Sequence, residues 1–149
     1  MAVTVNLYNS ATKRLVNKEV TYTTLKLMLL DNTASFTAAN STLDSVAGAL
    51  SGTRPKEVYG NGWTQGGMTL ANVAVTTVTT NDAMLDADDV TVTATGGAIG
   101  PAYAAVLYDD TDSNKGPLAY IDFGQAQTAG QDTDFKVVWN ASGLISFTY

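Results

Sequence analysis

Apolar and polar residues alternate one for one along much of this chain. Val3, Val5 and Leu7 stand between polar neighbours, and Leu25, Leu27 and Leu29 alternate with Thr24, Lys26 and Met28 up to the turn-prone "DNT" of residues 31 to 33. A period of two is the signature of a strand with one buried face. The same rhythm returns in "VTVTAT" (90 to 95), "AYAAVLYD" (102 to 109), "LAYIDF" (118 to 123), "DFKVVW" (134 to 139) and "LISFTY" (144 to 149), each bounded by Gly, Asp, Asn or Pro. The last two predict a hairpin turned by "NASG", with Phe135, Val137 and Trp139 on one face of its first arm and Ile145, Phe147 and Tyr149 on one face of its second. A chain that finishes in such a strand is expected to be tied into a sheet or a neighbouring subunit.

Two segments depart from the strand period. "SATKRLVNKEV" (10 to 20) reads as a polar connection or a short helical turn. Leu43, Val46, Ala47 and Leu50 fall at i, i+3, i+4 and i+7 behind Ser41, with Asp44 three residues after that serine, which predicts a helix stopped by Gly52. In "MTLANVAVTTVTT" (68 to 80) the alternation slips by one residue between Leu70 and Val73. A β-bulge near Ala71 and Asn72, inside one long Thr-rich strand, produces such a slip. Together these elements predict a single domain over residues 1–149. Its fold is mainly β, an antiparallel β-sandwich or jelly-roll-like arrangement with one short helix.

The glycine-rich "EVYGNGWTQGG" (57 to 67) invites a phosphate-binding reading, which its context removes. A dinucleotide fingerprint needs a third glycine where Gln65 stands and a helix behind it, and no Lys-Ser or Lys-Thr pair follows for a Walker loop. A Thr-rich strand follows instead, so the stretch reads as a bend with Gly60, Gly62, Gly66 and Gly67 supplying turn conformations. Tyr59 and Trp63 within it either cap the core or offer aromatic contacts.

Composition narrows the chemistry. A chain of 149 residues buries roughly 70% of its unfolded surface, enough for a true core. A net charge of −6 with only 8 basic residues speaks against nucleic acid as a partner. No apolar run approaches the roughly 20 residues needed to span a bilayer, which predicts a soluble chain with no membrane partner. The start, "MAVTVNLY", lacks the features of a secretory signal, so export is not expected and the sequons at Asn40 and Asn140 carry no weight. With neither cysteine nor histidine, there is no disulfide, thiolate zinc site, Ser-His-Asp or Cys-His pair.

Carboxylates are the remaining candidates. Asp110, Asp112 and Asn114 keep the alternate spacing of a calcium loop, but Lys115 sits where glycine is required and Ile121 where a bidentate glutamate should be. An exposed hairpin connection is the preferred reading. "DADD" (86 to 89) is a second acidic cluster that could share an ion, but turn residues leading into a strand account for it equally well. No catalytic residue, cofactor or metal is assigned, and a carboxylate-based hydrolase stands only as an alternative from another class.

Several segments in order, "KLMLLD", "SFTAANSTLDSV", "EVYGNGWTQGGMTL", "LDADDVT", "AYAAVLYDDT", "PLAYIDFG" and "WNASGLISFT", resemble small virion structural proteins of tailed bacteriophages. The resemblance covers most of the chain, and its motifs are those of strands and turns. It implies a capsid decoration (cement) protein on the outer head surface, or else a collar or tail component that assists assembly or binds host-surface glycans. The implied partners are the major capsid protein or other virion structural proteins, and further copies of this chain, with a trimer favoured. The implied location is the virion, assembled in the bacterial host cytoplasm. Aromatics enrich interface centres, so the contact candidates are Tyr59, Trp63, Phe147 and Tyr149, each with ordinary core as its alternative. Core is the preferred role for Trp139.

Overall fold

The computed structural model describes residues 2–49, 53–77 and 82–147. The order is β1 (Thr4–Leu7), α1 (Asn9–Val16), a 3₁₀ turn (Tyr22–Thr24), β2 (Leu25–Leu30), α2 (Leu43–Ala47), β3 (Glu57–Val58), β4 (Met68–Thr69) and β5 (Ala74–Thr77). Then come β6 (Ala83–Asp86), β7 (Val90–Thr93), β8 (Ile99–Asp109), β9 (Pro117–Ala129), β10 (Asp134–Val137) and β11 (Ile145–Phe147). The fold is mainly β, and every strand pairing among the described residues is antiparallel.

The largest sheet runs β1-β9-β8-β2-β3, with β4 also on the outer edge of β2. Its centre is a long hairpin, β8 and β9; β8 starts three residues before the predicted 102 to 109 and ends with it, and β9 outruns the predicted 118 to 123 at both ends. In β2, Met28 and Leu30 are as fully buried as Leu25, Leu27 and Leu29. Both faces of this strand are therefore covered, which explains its almost unbroken apolar composition. One face of β9 carries Tyr120, which stacks with Phe36 and, through it, with Tyr8; the ring centroids lie 6.0 and 5.1 Å apart. The opposite face carries Phe123, which meets Phe135 of β10 at 6.5 Å.

Two smaller sheets follow, β10-β7 and β11-β6-β5. They overturn two sequence expectations. Residues 134–139 and the described 144–147 do not form a hairpin: β10 pairs with β7 and β11 with β6. Only the tight turn survives, with the Gly143 N–H donating to Asn140 O at 2.8 Å. Nor is the slip at Ala71 and Asn72 a bulge. The chain there leaves β4, which pairs with β2, changes sheet and enters β5; Asn72 takes a left-handed φ of 52° and its side-chain amide donates to Asp88 at 2.6 Å. Asparagine tolerates that conformation better than most residues, so the apparent slip marks a corner between sheets.

The helices are also revised. Among the described residues there are two α-helices where one was expected. Residues 9–16 form α1, which rests on β9 with Ala11 buried and Leu15 partly so; too few apolar positions were present to reveal a helical period. Lys13 and Arg14 sit in its last turn, where cations offset the partial negative charge of the carbonyl end. The predicted α2 is real but short. Its cap is Thr42, whose hydroxyl accepts from Ser45 N at 3.2 Å, not Ser41, and the chain turns out at Gly48 with φ 82°. Leu50 and Gly52 lie outside the described residues.

Candidate functional site

The glycine-rich stretch folds back on itself between β3 and β4. Gly60 and Trp63 exchange backbone hydrogen bonds of 2.8 and 3.1 Å around Asn61 (φ 55°) and Gly62 (φ 110°), the two positive values that a tight hairpin turn demands. A Cβ on Gly62 would lie 2.8 Å from Thr93 O, and one on Gly67 would lie 2.5 Å from Leu27 O. Glycine is thus required for close packing on the neighbouring backbone. Glu57 accepts from the Gly66 N–H while the Tyr108 hydroxyl donates to Gly66 O, so the two side chains hold the peptide groups on either side of the Gly66 Cα. Burial pushes the Glu57 carboxyl above its ordinary range despite the Gly66 N–H and nearby Arg54, and it raises the Tyr108 phenol too. A phosphate at this loop would meet a carboxylate, with no helix N-terminus behind it. The stretch is a bend.

The acidic loop is cross-braced by the chain's own cations. Asp109, 1% exposed, accepts from Arg14 at 3.1 Å, Thr21 N at 3.0 Å, the Thr24 hydroxyl at 3.2 Å, and Thr111 N and Oγ1 at 3.1 and 2.8 Å. Burial alone would raise its pKa, but the Thr21 and Thr111 donors and the Arg14 charge outweigh it and hold the carboxyl below its ordinary range. Asp110 is lowered chiefly by its hydrogen bond from Lys115, with Lys26 adding to it against desolvation; the contacts are 2.6 and 3.0 Å. Asp112 accepts from Gly116 N at 2.9 Å and lies 3.8 Å from Arg14. Asn114 is exposed. The calcium-like spacing is therefore that of a hairpin connection. Among the described residues, no group of three or more acidic side chains is placed to hold a metal ion. In the second cluster, Asp88 accepts from Asn72 and Asp89 from Trp139 N.

The contact candidates do not converge. Tyr59 is 50% exposed just beyond β3, whereas Trp63 is 2% exposed and meets Phe135 edge-on at 5.4 Å. Of the two roles open to Trp63, core and contact, it takes the core. Phe147 pairs with Ala83 in the three-stranded sheet and is partly buried; Tyr149 lies outside the described residues. Trp139 is also only partly buried, its indole N–H donating to Asp88 O at 2.9 Å.

The apolar surface lies elsewhere. Beside β1 a groove of about 570 Å³ opens between the sheet face and β10, walled by Val3, Val5, Ile121, Val137 and Trp139. Val3, Val5 and Leu7 are 58%, 54% and 37% exposed, and Val138 on the far rim is 69% exposed. Lys136 is the groove's one charged lining residue, and it lies 3.9 Å from Asp134. In an acidic chain, this is a surface free of carboxylates. The signal was legible as the Val3, Val5, Leu7 alternation, but alternation implies a covered face, and here the chain itself leaves that face open.

No helix among the described residues is long and apolar enough to cross a membrane. Comparison with protein-family models, curated proteins and solved structures gives no significant match.

Proposed function

We propose that this chain is a bacteriophage virion structural protein, a capsid decoration protein that binds the outer head surface and stabilises the capsid lattice. It is read as a binding protein working without cofactor or catalysis, in contact with the major capsid protein and with its own copies. The observation that carries the reading is the carboxylate-free apolar groove beside an edge strand on a chain of charge −6. Exposed apolar surface of this kind marks interaction sites. The sequence resemblance described above supports the same class. A subunit that binds only the assembled lattice stabilises it by mass action, by about 2.7 kcal/mol per site at a hundredfold excess over Kd.

Sandwich-like packing, with a jelly-roll-like course of strands, belongs to the same proposal. Its support is the stacking of β10 over β9 through Phe135 and Phe123. A second reading places the protein in the collar or tail, binding another structural protein or a host glycan; exposed Tyr59 and Tyr103 are aromatic faces of the kind that receive sugars. Reconstruction of the native particle by electron microscopy separates the two. Density repeated over the head lattice is expected, and density confined to one vertex or the tail would reject the decoration role.

A further inference from the structure

We infer that the outer edge of β1 pairs antiparallel with the same edge of a second copy, in a register that sets Val5 opposite Val5. The inference rests on the reading above only in taking the chain to be one that assembles. Its first support is the direction of the backbone groups. The Tyr8 N–H donates to Leu118 O at 3.1 Å, and Val5 and Leu7 stand opposite Ile121 and Ala119 of β9. Because hydrogen-bonded pairs alternate along an antiparallel ladder, Thr4 and Asn6 turn their backbone groups toward β9, while Val3, Val5 and Leu7 turn theirs outward. Among the described residues no strand takes up that edge. It also carries no charge, proline or bulge, the devices that normally protect an edge.

The second support is complementarity. In this register Val3 faces Leu7 of the other copy and Thr4 faces Asn6, so apolar meets apolar and polar meets polar at every position. Two chains of charge −6 repel, and a self-contact needs a surface without carboxylates, which β1 and its groove provide. The closest acid along the paired strands is Asp122, opposite Thr4 on β9. Three strand spacings, about 14 Å in all, separate it from its counterpart, beyond the screening length of about 8 Å at physiological salt. Pairing brings the two grooves side by side on one face of a continuous sheet and sets Val3, Val5 and Leu7 against apolar cross-strand neighbours. Such a contact is isologous and closes as a two-fold dimer, in place of the trimer favoured from the resemblance.

A single cysteine tests this, because the chain has none of its own. Facing residues of a hydrogen-bonded antiparallel pair lie about 5.5 Å apart between Cα atoms, inside the range a disulfide bridges. Val5→Cys is expected to convert fully to a covalent dimer under mild oxidation, while Thr12→Cys, on the exposed side of α1, forms no covalent cross-link and runs as a single chain under denaturing conditions. Light scattering of the intact wild-type chain should give twice the chain mass of 15.6 kDa. Val5→Lys, which sets two ammonium groups across the two-fold, should return it to the single mass with an unchanged circular dichroism spectrum. A wild-type monomer, or cross-linking of Val5→Cys no faster than of Thr12→Cys, overturns the inference. An oligomer that Val5→Lys leaves intact also overturns it, yet spares the assembly reading. A dimer cross-linked through position 5 but missing from the reconstructed particle does the reverse.

Discussion

Replacing Asp109 by asparagine keeps the shape of the side chain and removes one charge at a buried, heavily hydrogen-bonded position. The carboxylate takes five hydrogen bonds, from Arg14, Thr21, Thr24 and twice from Thr111. An amide has only one acceptor oxygen, so its NH₂ must point at donors on one side. Removing one partner of a buried ion pair costs about 3–5 kcal/mol. Arg14 keeps partial compensation from Gly116 O at 3.3 Å and from Asp112 at 3.8 Å, which places Asp109→Asn at the lower end, about 3 kcal/mol of an expected total of 5–15. With an m-value of about 2 kcal/mol/M in urea, the midpoint should fall by roughly 1.5 M at unchanged slope. The pH dependence carries a second signature. A carboxyl held below its unfolded value contributes stability that is complete above that value, near pH 4, and is lost as pH falls through the folded one. Wild type should therefore lose midpoint on acidification below about pH 4, and Asp109→Asn should lose less, the remainder coming from Asp110, which is lowered in the same sense. A midpoint change at pH 7 worth less than about 0.5 kcal/mol, the range of an ordinary surface substitution, would refute the account of Asp109 as the junction between α1 and the β8–β9 hairpin.

Three further outcomes can be measured by the same denaturation assay. Thr42→Ala should cost about 1 kcal/mol through loss of the α2 cap, while Ser41→Ala leaves the midpoint in place; equal effects would return the cap to Ser41. Gly67→Ala, whose new methyl would sit 2.5 Å from the Leu27 carbonyl oxygen, should destabilise clearly more than Gly60→Ala, where nothing lies within 4 Å and only backbone strain of order 1–3 kcal/mol applies. Trp63→Ala should cost about 3–5 kcal/mol as a core truncation and Tyr59→Ala less than about 0.5, whereas similar small losses at both positions would make Trp63 a surface residue after all.

Much of the strand content could be read directly from residues that alternate. Leu25, Leu27 and Leu29, and the runs from Ala102 and Leu118, declare themselves as short apolar stretches bounded by turn residues, although these central strands are covered on both faces over much of their length. Val3, Val5 and Leu7 were legible as a strand face by their alternation, but not as an open one, since period two reports which side chains share a side and never what lies opposite. Helix α1 was hidden because it buries little apolar surface, chiefly Ala11 with part of Leu15, and is otherwise tied by Arg14 reaching Asp109, a contact with no periodicity. The false hairpin at residues 134–149 arose because a good turn at Asn140–Gly143 says nothing about where its flanking strands find partners.

What the chain's sequence determined by itself is local: the strand periods, the short amphipathic α2, the tight turn at Asn61-Gly62, and the absence of thiol or imidazole chemistry. These follow from side-chain direction and backbone preference over a few residues. Tertiary structure decided the rest. It parted β10 from β11, turned the slip at Ala71 and Asn72 into a passage between sheets, buried Trp63, tied up the acidic loop with Arg14, Lys26 and Lys115, and left β1 with an unpaired edge. Each of those outcomes depends on which distant segments compete for the same surface, and hydrophobic burial, being non-directional, does not specify the winner until the whole chain is packed.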